Sequence, residues 1–105
     1  MTIDADVADV SQLTPSLRLA AHRVLTETLT NAAKHQDHPH VTVRVQVGAA
    51  LVIDVVSTGR LISGATGNNI GLESLAEQCV ALGGSFDFAL HEDAAVTHAT
   101  IPMRT

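Results

Sequence analysis

The sequence predicts an α+β fold, a two-layer sandwich in which helices pack on one face of an antiparallel or mixed sheet. Two segments, residues 15–36 and 72–82, carry apolar residues at helical spacing. A pair of strand-like segments follows each of these helices. A chain of 105 residues has room for a single hydrophobic core, so we expect one domain over residues 1–105.

The first helix has a clear start and a clear end in the sequence. Residues 1–14 are polar and compatible with a short strand followed by a loop. Thr14 and Pro15 then predict a helix start, because Thr is a good N-cap and Pro suits the first helical turn. The helix is expected to end before residues 37–40, where Pro39 disfavours helical geometry in the residue before it. Three residues are expected on its apolar side: Leu25, Leu29 and Ala32.

The strands are predicted from alternation and from continuous apolar runs. Residues 41–47 alternate Val with polar residues, which is the period of a strand with one buried face. After a short turn at 48–50, residues 51–56 are almost continuously apolar and are typical of a central strand. These two strands should form a hairpin. Two further strands are expected at 85–90 and 95–101.

A glycine-bearing segment connects the second strand to the second helix. Over residues 57–69 the strand pattern is lost and three glycines occur. This composition predicts a mobile loop of about a dozen residues, which is typical of binding loops and lids and also of plain connections. The second helix should end at its glycine pair, residues 83–84, as a helix with a C-terminal glycine cap does.

Composition and charge restrict the function. Hydrophobic residues make up 46% of the chain and charged residues 16%, which indicates a globular rather than a disordered protein. With two Phe, no Tyr, no Trp and a net charge of −5, we expect no nucleic acid partner. No segment is apolar over the roughly 20 residues that span a bilayer, so we expect a cytoplasmic domain without membrane contact of its own. The single Cys79 lies at helical spacing with leucines and should be a buried structural thiol.

A polar face on the first helix is the strongest candidate site. Glu27, Asn31 and Lys34 stand at i, i+4 and i+7 and therefore share one side of the helix. A carboxylate can act as a base, an amide oxygen can bind Mg²⁺, and an ammonium can contact phosphate oxygens. An ordinary solvated helix face has the same pattern, so the spacing alone leaves both interpretations open.

The histidines form a weaker candidate site. His35, His38 and His40 lie close together in the sequence and could hold Zn²⁺. Their spacing follows no recognised tetrahedral pattern. His91 and His98 are expected at the surface.

Two segments resemble motifs of one protein family. Residues 26–35, TETLTNAAKH, resemble the N box of the ATP-binding domain of bacterial sensor histidine kinases, in particular the nitrate-sensor and DesK-like branch, which has EALTNxxKH. Residues 71–84, GLESLAEQCVALGG, resemble the segment GLxxMxERVxxLGG of that branch. Both lie on predicted helices in the order of the family, and the similarity spans residues 13–102.

The resemblance implies a Bergerat-type, histidine-kinase-like ATPase fold with a mixed sheet and a site for ATP and Mg²⁺. Asn31 would ligate the Mg²⁺ that bridges the ATP phosphates. Glu27 would be the catalytic acid/base or water-orienting residue. Lys34 and His35 would lie near the phosphates, where a net-acidic domain needs positive charge.

The resemblance also places three residues of the glycine-bearing segment and two at the start of the second helix in the nucleotide site. Ser57 stands where the family has an aspartate that accepts a hydrogen bond from the adenine amino group, and Gly59 is the first glycine of that box. Asn69 replaces the first glycine of the next box, GxGL. The amides of Gly71 and Leu72, at the start of the second helix, would support the phosphates.

Three further positions depart from the family pattern. Leu61 replaces the second glycine of the first box, and Ala94 and Ala95 stand where Gly-Thr precedes the last strand. If Ser57 lies at the adenine, Ser57→Asp should tighten adenine binding.

The implied function is that of a sensor kinase catalytic domain, expected to be the C-terminal part of a longer kinase. It would supply the γ-phosphate of Mg-ATP to a histidine on the dimerisation helices of the same kinase, outside this chain, and would serve a response regulator indirectly. The isolated chain should therefore not autophosphorylate, and the whole kinase could be membrane-anchored. Two alternatives stay open: a degenerate ATPase-like domain that acts as a protein-interaction module with weak or no nucleotide binding, and an anti-sigma-factor-type serine kinase.

Overall fold

The computed structural model describes residues 1–62 and 70–103, which form two helices and five strands. The helices are α1, Pro15–His35, and α2, Ile70–Ala81. The strands are β1, Thr2–Val7; β2, Gln36–Val47; β3, Ala50–Leu61; β4, Ser85–His91; and β5, Ala94–Pro102. This architecture confirms the predicted α+β sandwich.

The strands form one mixed sheet in the order β1-β2-β3-β5-β4. β1 pairs with β2 in parallel, and α1 provides the connection between them. The β2/β3, β3/β5 and β4/β5 pairs are antiparallel, so the predicted hairpin of β2 and β3 is confirmed. No described helix is long and apolar enough to cross a bilayer.

α1 begins as predicted, but its buried face is rotated from the expected one. Thr14 caps the helix by accepting a hydrogen bond from the amide of Leu17 at 3.3 Å. Leu25 and Leu29, expected on the apolar side, are only partly buried against the core. The buried face consists of Leu17, Ala20, Ala21, Val24, Thr28 and Ala32. Contact with the sheet decides which side is buried, and small residues on that side let the helix approach closely.

The core lies between the two helices and one face of the sheet. Alternate residues of β2, β3 and β5 face the helices, as the period of two predicts. The sheet contributes these buried hydrophobic residues to the core: Val41, Val43, Val45, Leu51, Ile53, Val55, Ala99 and Ile101. Cys79 on α2 packs in the same core. It is a free thiol and only 1% exposed, which confirms the predicted buried cysteine.

β3 is longer than the sequence predicts. The segment from Ser57 to Leu61, expected to begin a loop, continues the strand. Leu61 pairs with Gln36, and Arg60 pairs with Asp37. The extension therefore depends on partners in β2 that are distant in the sequence. Gly64 and Gly67 of the expected loop lie outside the described residues.

β2 starts directly at the end of α1 and contains a β-bulge. The register of its pairing with β3 shifts between Asp37 and His40, and His38 has a positive φ of 47°. Pro39, which was expected to lie between helix and strand, is accommodated in this bulge, where the ladder is interrupted. The extra residue changes the alternation, so that both Gln36 and Val41 face the helices.

α2 ends at the predicted glycine pair. The Gly84 amide donates to the carbonyl of Cys79 at 2.8 Å, and the Gly83 amide donates to Val80 at 2.9 Å, which is the Schellman pattern. Gly83 has a φ of +85°, a conformation that favours glycine. A Cβ on Gly84 would lie 2.0 Å from the carbonyl oxygen of Thr100. The second glycine is therefore needed for close packing of the helix end on β5.

The sheet face opposite the helices carries polar pairs. His98 Nδ1 lies 2.5 Å from Asp54 Oδ1, and His98 Nε2 lies 3.0 Å from Thr100 Oγ1. The His98 side chain is 45% exposed, and His91 at the end of β4 is exposed, so both histidines lie at the surface.

Candidate functional site

The C-terminal half of α1 carries polar side chains on its inner border. Glu27, Asn31 and His35 follow one another at intervals of four residues and are all partly buried. They lie beside the buried Thr28 and Ala32, so this row borders the core. Lys34, which the sequence places with them, is exposed. The polar face is therefore better described by Glu27, Asn31 and His35 than by the predicted trio.

These side chains have no partner within the described part of the chain. No hydrogen bond or ion pair joins Glu27, Asn31, Lys34 or His35 to another described side chain. Polar groups at the edge of a core are usually hydrogen-bonded, either within the protein or to water or a ligand. Lys34 and His35 also lie in the last turn of α1, where positive charge is favourable to the helix dipole.

Gln36 connects this row to Ser57. Gln36 follows His35 directly, caps α1 in an extended conformation, and is 3% exposed. Its Nε2 lies 3.0 Å from Ser57 O, 3.2 Å from Gly59 O and 3.1 Å from Asp93 O. Its Oε1 accepts a hydrogen bond from the hydroxyl of Ser57, which is itself 4% exposed. Sequence reasoning did not identify Gln36, because its partners come from β3 and from the turn before β5.

Gly59 is enclosed by backbone. Its amide donates to Asp93 O at 3.0 Å, and its carbonyl accepts from Gln36. A Cβ at this position would lie 2.8 Å from Asp37 O and 3.1 Å from the Cα of Pro39. The close approach to the β2 bulge explains why this position needs glycine.

The start of α2 contributes backbone rather than side chains. Leu72, predicted at the phosphates, has its side chain in the core at 6% exposure, so only its amide is suited to a ligand. Gly71 lies in the first turn of the helix. Asn69 lies outside the described residues.

Arg23 fixes α2 against α1. Its guanidinium donates to Gln78 Oε1 at 3.0 Å and approaches Ser74 Oγ at 3.4 Å. Both acceptors are neutral, and no described carboxylate forms an ion pair with this side chain. Arg23 was not singled out in the sequence, because its partners lie more than 50 residues away.

The donor set fits a metal ion held mainly by a ligand. No group of three or more His, Cys, Asp or Glu able to hold a metal occurs in residues 1–62 and 70–103. Asn31 can provide one amide oxygen, and Mg²⁺ in nucleotide sites is bound by few protein groups together with phosphate oxygens and water. Asn31 thus fits Mg²⁺ that arrives with a phosphate ligand.

The predicted Zn²⁺ alternative receives no support from the histidine geometry. His40 Nε2 lies 2.9 Å from Asp4 Oδ2 on β1, whereas the His38 side chain is 94% exposed beside Asp37. His35 is on the helix, and no cluster of three or more His, Cys, Asp or Glu side chains able to hold a metal occurs among the described residues.

The mixed five-stranded sheet with two helices on one face is the fold of histidine kinase catalytic domains. The chain matches the histidine kinase domain of the Erythrobacter litoralis EL346 blue-light activated histidine kinase with a TM-score of 0.73 and 20% identity, over 97% of this chain and 50% of that one. It matches the Acinetobacter baumannii histidine kinase AdeS with a TM-score of 0.70 and 15% identity, over 99% and 55%. It matches the catalytic domain of histidine kinase ThkA with a TM-score of 0.67 and 16% identity, over 97% of this chain and 77% of that one.

These similarities concern the fold. The chain spans about half of the length of the first two structures. No protein-family model matches the sequence, and no curated protein matches it significantly.

Proposed function

We propose that this domain binds Mg-ATP and supplies the γ-phosphate for histidine phosphorylation in a two-component sensor kinase. The observation that carries the proposal is the partly buried row of Glu27, Asn31 and His35, which has no described partner. It lies on the helix that carries the N-box resemblance, in a chain with the fold of histidine kinase catalytic domains.

Each side chain is suited to a distinct task. Asn31 provides the protein's oxygen to Mg²⁺, which when bound neutralises phosphate charge. Glu27, one turn earlier, orients or deprotonates the attacking group. Lys34 and His35 lie near the phosphates, where the Lys34 ammonium contributes positive charge and a ring nitrogen of His35 can donate a hydrogen bond. The amides at Gly71 and Leu72, in the first turn of α2, provide donors to phosphate oxygens, as helix N-termini do.

The adenine base is assigned to Ser57 on β3, away from the phosphate-binding residues of α1. Ser57 accepts a hydrogen bond from the adenine amino group, and Gly59 holds β3 close to the β2 bulge so that Ser57 keeps its position. The motif resemblance alone assigns Asn69, which lies outside the described residues, to the phosphates. These assignments rest on the motif resemblance and on the hydrogen bonds around Gln36.

The phosphate acceptor belongs to the same proposal. The dimerisation helices that carry the phosphorylated histidine lie outside this chain, and a response regulator receives the phosphoryl group from them. The domain then works on the cytoplasmic side as part of a longer kinase of the nitrate-sensor and DesK-like branch. The branch is assigned from the motif resemblance, and a longer kinase is consistent with the chain's coverage of about half of two similar structures.

Calorimetric titration with a non-hydrolysable ATP analogue, with and without Mg²⁺, tests the proposal. We expect saturable binding that requires Mg²⁺. Asn31→Ala should weaken it at least roughly tenfold while changing the free energy of unfolding by no more than about 0.5 kcal/mol, since this side chain bonds no described residue. Gln46→Ala, which removes an exposed amide from β2, is the matched control and should bind normally.

A protein-interaction module without nucleotide is the second candidate. It is favoured by Ile3 and Val7, which are 48% and 50% exposed on the edge strand β1, on the same face as the buried Val41 and Val45. No binding at millimolar nucleotide by the wild-type chain would contradict the kinase proposal and favour this module.

A further inference from the structure

The side-chain amide of Gln36 has only one possible orientation. Three carbonyl oxygens, those of Ser57, Gly59 and Asp93, surround its Nε2 at 3.0–3.2 Å. Carbonyl oxygens only accept hydrogen bonds, so the NH₂ group must face them. The Oε1 atom is thereby directed at the hydroxyl of Ser57.

This orientation determines the hydrogen-bonding character of Ser57. A serine hydroxyl has one proton and two lone pairs. The only proton is donated to Gln36 Oε1, and both groups are almost completely buried, at 4% and 3% exposure. Rotating the proton away would leave Oε1 without a donor in a buried place, which costs free energy. The hydroxyl therefore offers a ligand lone pairs only.

We propose that Gln36 is a positioning residue that makes Ser57 an obligate acceptor, so that the site selects a purine with a 6-amino group over one with a 6-oxo group. This inference rests on the proposed nucleotide function of the same site. A free serine hydroxyl can donate to an oxo group as well as accept from an amino group and would discriminate poorly between them. Because Gln36 occupies the only proton of Ser57, the hydroxyl cannot donate a hydrogen bond to a 6-oxo group.

The test compares ADP with IDP, which differ in the purine at the 6-position and at N1. Calorimetric titration in Mg²⁺ should show that the wild-type chain binds ADP more tightly than IDP by roughly tenfold, the difference expected for one mismatched buried hydrogen bond. In Gln36→Met, a variant of similar size without the acceptor, the Ser57 hydroxyl is free to turn. The affinity ratio should then fall towards one.

Thr28→Val is the matched control for a merely structural effect. Thr28 is buried on α1 and donates its hydroxyl to the carbonyl of Val24 at 2.8 Å, so its replacement removes a hydrogen bond of the helix and leaves the described hydrogen bonds of Gln36 and Ser57 in place. This variant should keep the wild-type ratio of ADP to IDP affinity even if its stability falls. A lowered ratio in Thr28→Val would show that the preference follows helix stability and would overturn the inference.

Ser57→Ala keeps the test decisive if Gln36→Met does not fold. This variant leaves the contacts of Gln36 with the three carbonyls in place and removes only the hydroxyl. It should lose the ADP preference as Gln36→Met does, and the double variant should lose no more than either single one. Full ADP preference in Ser57→Ala or in Gln36→Met would overturn the inference. If the wild-type chain binds neither ADP nor IDP, the proposed function is overturned, and this inference with it.

Discussion

Gly59→Ala separates a structural role of this glycine from a role in nucleotide binding. The added Cβ would lie 2.8 Å from the carbonyl oxygen of Asp37 and 3.1 Å from the Cα of Pro39, and both are backbone atoms that cannot turn aside. Overpacking of this kind costs about 1–3 kcal/mol. The bonds of Gly59 to Asp93 and Gln36 would be distorted as β3 moves away from the bulge. We therefore expect a large loss of stability.

Urea denaturation followed by circular dichroism measures this loss. With a slope of about 2 kcal/mol per molar urea, which is typical of a small domain, the midpoint should fall by about 0.5–1.5 M. Gly48→Ala is the control, because a Cβ on this hairpin glycine has no neighbour within 4 Å. Its midpoint should stay the same or rise slightly. An unchanged midpoint in Gly59→Ala, together with lost nucleotide binding, would refute the structural explanation and make Gly59 a ligand contact.

Three further predictions concern buried or bridging side chains. Ser57→Asp should not tighten nucleotide binding, contrary to the expectation from the motif alone, because the new carboxylate would face Gln36 Oε1; we expect about 2–4 kcal/mol of destabilisation in urea and an ADP affinity no higher than that of the wild type. Arg23→Met should remove the bonds between α1 and α2 and cost about 1–3 kcal/mol, with faster amide hydrogen exchange concentrated in α2; protection equal to that of the wild type would contradict this role. Burial raises the pKa of the Cys79 thiol, so thiol labelling at pH 8 should be far slower in the native chain than in urea; equal rates would show that the thiol is accessible.

The elements with a strong local signal were predictable from the sequence. The Thr14 cap and the first-turn Pro15 mark the start of α1, and the glycine pair 83–84 marks the end of α2. The alternating valines of β2 point to the face that packs on the helices. In each case a few neighbouring residues contain the physical cause, whether a capping oxygen, a permitted positive φ or a period of two.

The extent of β3 and the bulge in β2 were not predictable in this way. Residues 57–61 have the composition of a loop, and they are a strand because β2 offers them partners. Pro39 suggested a break between elements, whereas the structure accommodates it within a strand through a register shift. In both segments, strand pairing with residues distant in the sequence outweighed the local preference for a loop or a break.

The candidate site also has a part that follows from local spacing and a part that depends on tertiary contacts. The sequence by itself determined that α1 presents Glu27 and Asn31 on one side, because helical spacing places residues four apart next to each other. Only the tertiary structure decided that His35 shares their inner border while Lys34 is exposed, since the sheet sets which side of α1 is covered. Likewise the sequence contains Ser57 and Gln36 as two separate polar residues. Their hydrogen bond exists because the β2 bulge turns Gln36 inward and three carbonyls orient its amide.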